Sequence, residues 1–190
     1  MTARELFDAL APLVAPAVQE VFNRRDLCIF ATRVAIEVSA YFGILAEPLP
    51  VKVILYNATF AAHVANNFAG VERSNPAAWG DGSWSVGIGY GAPKRFNGWD
   101  GHLIAVADDC FADFSIQQAE RVEHDIITGP GLVGPYVGSK MWQAVSETTG
   151  TVIDYMRTDD DSWRNAPDWK DAKRRKPVVG ALIRALKAAA

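Results

Sequence analysis

The sequence predicts an α+β fold: N-terminal helices, including a buried helix that starts at Cys28, pack on a mainly antiparallel β-sheet. Three observations carry that expectation. Residues 27–42 are apolar around most of a helical circumference, with Leu27, Ala31, Val34, Ala35, Ile36 and Val38 leaving few polar positions, so this helix belongs inside. Residues 99–114, WDGHLIAVADDCFADF, read as two short strands joined by Asp108-Asp109, a two-residue turn that only antiparallel neighbours share. A chain of 190 residues, 49% of them hydrophobic, has apolar mass for one substantial core. The expected organisation is a single domain over 1–190, with 1–24 as a helical arm and 157–190 as a C-terminal helical extension.

Taken in order, Thr2-Ala3-Arg4-Glu5 has capping-box form and opens a helix with Leu6, Leu10, Leu13 and Val14 on its apolar side. Pro12 and Pro16 lack the N–H that an interior helical position needs, so two short pieces are expected, about 3–11 and 16–23. Asp26 suits the N-cap of the buried helix over 27–42, Arg33 and Glu37 are spaced to pair on its outer strip, and Gly43 suits its C′ position. Residues 50–57, PVKVILYN, read as a strand that Lys52 places nearer a sheet edge. Thr59–Phe68 reads as a short helix stopped by Gly70, followed by a loop over 70–82, a strand over Trp84–Ile88 and a long loop, GYGAPKRFNGWDG. Trp79, Trp84 and Trp99 gather near that loop, as a groove wall or as simple packing. Beyond the hairpin, Ser115–Glu120 suits one or two helical turns, 128–138 reads as an irregular loop, and 151–156 reads as a strand. Asp159-Asp160-Asp161 marks a solvated turn without the alternating spacing of a calcium loop. Pro177–Ala189 is an amphipathic helix with Val178, Val179, Leu182, Ile183 and Leu186 on one side, and the basic run at 173–176 before it reads as solvated.

Composition narrows the function classes. A net charge of -3 argues against a nucleic-acid-binding surface. No apolar run of about 18 residues is present, so no membrane span is expected, and the first residues lack the form of a secretory signal. Two cysteines make neither a disulfide framework nor a zinc spacing, and GIGYGA is no nucleotide fingerprint. The expectation is a cytoplasmic protein with reduced thiols and neither metal nor cofactor; the oligomeric state is left open.

The hairpin carries the chemistry. Counting back from its turn pairs Ala107 with Cys110 and sets Ile104 opposite Asp113 and His102 opposite Ser115. His102, Ile104, Val106, Phe111 and Asp113 then share a face, with His102 and Asp113 as diagonal neighbours roughly 7–8 Å apart at Cα. Cys110 points the other way and reads as core, Asp108 and Asp109 belong to the turn, His124 reads as exposed, and His63, among alanines, is assigned no role. Cys28 sits in the first turn of the buried helix, where free N–H groups and the positive dipole end, with Arg24 and Arg25 nearby, favour a negative sulfur. Taken alone, such a thiol reads as core filler. Taken with His102 and Asp113, it supplies a nucleophile, a base and the group that fixes the base's tautomer. A second oxyanion donor, besides the Cys28 backbone N–H, has candidates by residue type in Asn57, Gln117 and Gln118.

Two stretches, LCIFATRVAIEVSAYFGI with the cysteine opening a helix and WDGHLIAVADDCFADFSIQQA with histidine and aspartate on adjacent strands, resemble the papain-like cysteine-fold superfamily. The resemblance is to its transglutaminase-like and arylamine N-acetyltransferase-like branch and covers roughly residues 25–120. It implies a cysteine helix packed on an antiparallel sheet, with Cys28 as nucleophile, His102 as base and Asp113 as orienter. The approach to the cysteine is RRDLC, not the arginine-glycine-glycine of arylamine acetyltransferases, and Leu103-Ile104 stand where tryptophan often follows the transglutaminase histidine. Neither substrate class is therefore carried over. The expectation is a cysteine hydrolase of amide, isopeptide or ester bonds, acting through a thioester on a peptide, protein or small acyl substrate. An acyltransferase on the same triad and a non-catalytic binding protein that keeps the fold are the alternatives.

Overall fold

The structure, a computed structural model, describes residues 1–22, 27–66, 82–90, 99–146 and 149–189. Arg24, Arg25 and Asp26, the expected helix stop at Phe68–Gly70, Trp79 and most of both predicted loops lie outside the described residues.

Helix α1 (Ala3–Phe22) runs through Pro12 and Pro16 where the sequence predicts a break. The two prolines fall four apart on the exposed side, while Leu6, Phe7, Leu10, Val14, Ala15 and Val18 form an unbroken buried stripe. Burial of that stripe outweighs the roughly 3 kcal/mol that an interior proline costs. The capping box forms as expected: Glu5 N donates to Thr2 Oγ1 at 3.2 Å, and Thr2 N donates to Glu5 Oε2 at 2.8 Å.

Helix α2 (Cys28–Tyr41) buries Phe30, Ala31, Val34, Ala35 and Val38, and its Arg33–Glu37 pair closes at 3.0 Å. Strand β1 (Glu47–Tyr56) and helix α3 (Ala58–Asn66) follow. Then come β2 (Ser85–Ile88), β3 (His102–Ala107), β4 (Cys110–Asp113), β5 (Leu132–Pro135), β6 (Met141–Val145) and β7 (Val152–Arg157). A short α4 (Pro167–Lys170) leads into α5 (Ala172–Ala189). α5 starts before Pro177 because Asp171 caps it, its Oδ1 accepting from Arg174 N at 3.0 Å. The basic run is thus helical and not wholly solvated. Arg175 is buried, with Nε donating to Glu37 at 2.8 Å and Nη1 to the Trp169 carbonyl at 3.0 Å. A guanidinium leaves water only with such partners.

The sheet runs β5-β4-β3-β1-β7-β6, with β2 also paired to β1, and every pairing is antiparallel. β1 is central, not near an edge: β3 and β2 share one side and β7 holds the other. Pro50 is tolerated there because its missing N–H faces the same side as its carbonyl, which accepts from Thr158 N at 2.9 Å just past the last β1–β7 pair, Val51–Arg157. Lys52, the residue that suggests an edge, lays its ammonium 5.2 Å from the centre of the Tyr90 ring. β5 lies inside the segment read as an irregular loop, and β6 has no counterpart in the sequence reading. Gly134 permits β5, since a Cβ there would come within 2.7 Å of the Phe111 ring.

The sheet curls until its outer strands approach. Tyr136, next to β5, and Trp142 on β6 have ring centres 4.9 Å apart, so the sheet is nearly closed. Its interior holds Leu49, Val51, Val53, Leu55, Ile104, Phe111, Ile153 and Tyr155. Its outer face, carrying Ala105, Ala107, Cys110, Ala112 and Phe114, is covered by α1 and α2, and α5 packs on those two helices. Among the described residues no helix is long and apolar enough to cross a membrane.

Candidate active site

The β3–β4 hairpin sets the site. Ala107 pairs with Cys110, Val106 with Phe111 and Ala105 with Ala112, and Asp108 takes a left-handed φ of 51° in the turn. That register sends His102 and Asp113 into the curled interior. Both are fully buried, and His102 Nε2 lies 2.7 Å from Asp113 Oδ2, the length of a charge-assisted hydrogen bond. The carboxylate is held from other sides as well. The Tyr155 hydroxyl donates to Oδ2 at 3.1 Å, and Ser115 N donates to Oδ1 at 3.1 Å. Burial, reinforced by the charge of Asp113, pushes the Tyr155 hydroxyl well above its usual pKa, so it remains a donor.

Cys28 lies near the same imidazole. A second interhelix-to-strand contact explains the placement: Thr32, one turn beyond Cys28 on the same side of α2, donates to the Leu103 carbonyl at 2.7 Å. This buried bond ties the first turns of α2 to the start of β3. Nε2 is committed to Asp113, and Cys28 lies near enough to the ring to help raise its pKa. Gln118, on the 3-10 turn Ile116–Ala119, reaches Nδ1, with its Nε2 at 2.9 Å. Burial alone would make the imidazole harder to protonate. The charge and hydrogen bond of Asp113, joined by those of Cys28, outweigh that and raise its pKa to about 10. His102 therefore holds a proton at neutral pH.

Cys28 is half-buried and opens α2, whose N-cap residue, Leu27, makes no side-chain capping bond. The first backbone donor satisfied by Leu27 is Ala31 N, at 2.9 Å. Positive helix-end character therefore lies beside the thiol. Trp99 lies across Gly101, one residue before His102; a Cβ on Gly101 would come within 2.6 Å of the indole. The glycine lets that ring close over the start of β3.

The other candidates fall elsewhere. Cys110 is buried on the helix-covered face and donates to the Ala107 carbonyl at 3.2 Å; burial, then Asp109, pushes its thiol pKa up. His124 is not exposed. It is half-buried and stacked on Trp84, with ring centres 3.5 Å apart at 13°. Asn57 is engaged in structure: its Nδ2 donates to the Gly82 and His124 carbonyls at 2.6 and 3.0 Å, and its Oδ1 accepts from Phe60 N and Trp84 N at 3.0 and 3.3 Å. It has no amide group to spare for a substrate. Gln117 and Gln118 line a small cavity with Leu27 and Ala31 beside the site. His63 sits half-buried in the last turn of α3.

His102 and Asp113 are thus in direct contact, and Cys28 is near enough to His102 to act on its pKa. Tyr155 is the member that sequence reasoning missed; its alternation on β7 announces an inward ring but not the target of its hydroxyl. Among the described residues no group of three or more His, Cys, Asp or Glu side chains is placed to hold a metal ion. Comparison with protein-family models, with curated proteins and with solved structures finds no match to this chain.

Proposed function

We propose that the protein is a papain-like cysteine hydrolase that cleaves an amide, isopeptide or ester bond through a thioester on Cys28. The supporting observation is the buried Asp113–His102 pair, with Cys28 near enough to the same imidazole to help raise its pKa. In this reading the Cys28 proton resides on His102 Nδ1, and Asp113 balances the imidazolium that results. The sulfur attacks the substrate carbonyl. The new oxyanion lies near the backbone N–H groups of the first turn of α2. As the tetrahedral species collapses, the Nδ1 proton passes to the leaving nitrogen or oxygen, and the carbon–heteroatom bond breaks. Neutral His102 then takes a proton from the water that attacks the thioester carbonyl; the C–S bond breaks, the carboxylic acid leaves, and the thiolate–imidazolium pair returns.

Competitive alkylation with iodoacetamide at pH 7, read by peptide mass spectrometry, tests the nucleophile. Cys28 reacts much faster than buried Cys110, and His102→Ala removes the difference. With p-nitrophenyl acetate as probe, wild-type protein becomes acetylated on Cys28 and turns over, while Cys28→Ala loses on the order of a thousandfold or more of the rate and keeps its circular dichroism. Equal, slow labelling of both thiols, or turnover that survives Cys28→Ala, sinks the proposal.

A further inference from the structure

The geometry points to Gln118 as the positioning residue for the proton-carrying edge of His102: its carboxamide stays bonded to Nδ1 in both protonation states, accepting through Oε1 when Nδ1 holds a proton and donating through Nε2 when it does not. This role deepens the hydrolase reading and rests on it.

Gln118 lies 2.9 Å from Nδ1, the only ring nitrogen that Asp113 leaves open. Its backbone is fixed by its own N–H, which donates to the Ser115 carbonyl at 3.0 Å, while Ser115 N bonds Asp113 at 3.1 Å. One short segment after β4 therefore positions both partners of the imidazole. A carboxamide is suited to this place because it offers an acceptor and a donor at the same reach. When the Cys28 proton moves to Nδ1, the S–H bond breaks and an N–H bond forms. A half-turn of the Gln118 amide then converts a donor facing a lone pair into an acceptor facing an N–H. Without that turn, two donors would oppose each other beside a buried cation, at a cost in its proton affinity. Among the described residues, the groups that bear on the ring are Asp113 from β4, Cys28 from α2 and, through Asp113, Tyr155 from β7.

The test measures His102 directly. Full-length Cys28→Ala protein labelled with 15N is titrated by long-range 1H–15N NMR of the imidazole, beside the same protein carrying Gln118→Met or Gln118→Glu. Met keeps the length but gives only a weak acceptor, so the proton affinity of His102 should fall roughly threefold to tenfold, the equivalent of one net hydrogen bond. Glu accepts only, so the affinity should rise by at least as much. An unmoved midpoint in both variants, or a fall in the Glu variant, overturns the role of Gln118. Because Cys28 is absent, this outcome is separate from failure of the hydrolase reading, which shows as equal labelling of the two thiols.

Discussion

The two faces of the β3–β4 hairpin differ in what they bury. Toward the helices it presents Ala105, Ala107, Cys110, Ala112 and, just past the hairpin, Phe114, joined to an apolar core drawn from α1, α2 and α5. Toward the curled interior it presents Ile104 and Phe111 together with a histidine and an aspartate, both fully buried. The helix-covered face gains stability by excluding water and needs no polar partner. On the interior face, each ionisable group is tolerable only because another neutralises or hydrogen-bonds it. Two thiols make the same contrast. Cys110 is enclosed by the first face, while Cys28 stands half-exposed at the start of α2. A polar pair kept inside a sheet that could bury apolar side chains instead is what a site requires and a core does not.

The largest break in this comparison is Asp113→Asn. The amide occupies the same space but carries no charge, so the imidazolium loses its counterion. Cys28 alkylation at neutral pH is expected to slow on the order of a hundredfold to ten-thousandfold. Below pH 6 the variant should also lose about 3 kcal/mol of stability, because the proton on His102 is no longer balanced. Above pH 7 the cost shrinks, since the imidazole sheds that proton. Stopped-flow alkylation and urea unfolding read both effects. A variant that labels as fast as wild type would leave Asp113 an ordinary buried residue.

A smaller effect sharpens the contrast through pH. The folded pKa of His102 is raised from 6.5 to about 10, so the native state holds a proton that the unfolded chain releases. Its contribution is complete below pH 6.5 and is lost as pH rises through about 10, with a slope of up to about 1.4 kcal/mol per pH unit between them. Cys110 and Tyr155 are also raised, but their unfolded forms ionise only near the ordinary values of 9.0 and 10.0. The window from about pH 6.5 to 8.5 therefore belongs to His102. In Cys28→Ala, where the thiol cannot supply the proton on His102, urea midpoints measured at intervals across it should fall steadily and become level when Asp113→Asn is added. A level profile in Cys28→Ala would contradict the ion pair.

The legible parts of the molecule are those whose causes are local. The Asp108-Asp109 turn and the alternation on either side of it fix the hairpin register, and with it the shared face of His102 and Asp113. The capping box and the apolar circumference of α2 are equally local. What the sequence hides is decided at long range. α1 runs through two prolines because its buried stripe is held by other helices, and LVGP becomes β5 because β4 supplies the ladder and Phe111 fills the space above Gly134. Arg175 reads as solvated until Glu37, 138 positions away, pairs with it. Within the site, the approach of Cys28 depends on the Thr32–Leu103 bond, and the approach of Tyr155 depends on the curl of the sheet.

The smallest test separates orientation from charge on the interior face. Tyr155→Phe removes one hydroxyl donor from Asp113 and leaves the ring packed against Trp142 and Phe111, whose centres lie 5.2 and 5.1 Å away. The carboxylate keeps its charge, its bond to His102 and its bond from Ser115 N. The expected loss is about 1 kcal/mol in urea unfolding, the worth of one net hydrogen bond, with Cys28 alkylation slowed less than roughly tenfold. If the charge of Asp113 does most to hold the imidazolium, this variant must fall well short of Asp113→Asn. Equal losses in the two would mean that the direction in which the carboxylate points matters as much as its charge, and Tyr155 would then rank beside Asp113 in setting the state of His102.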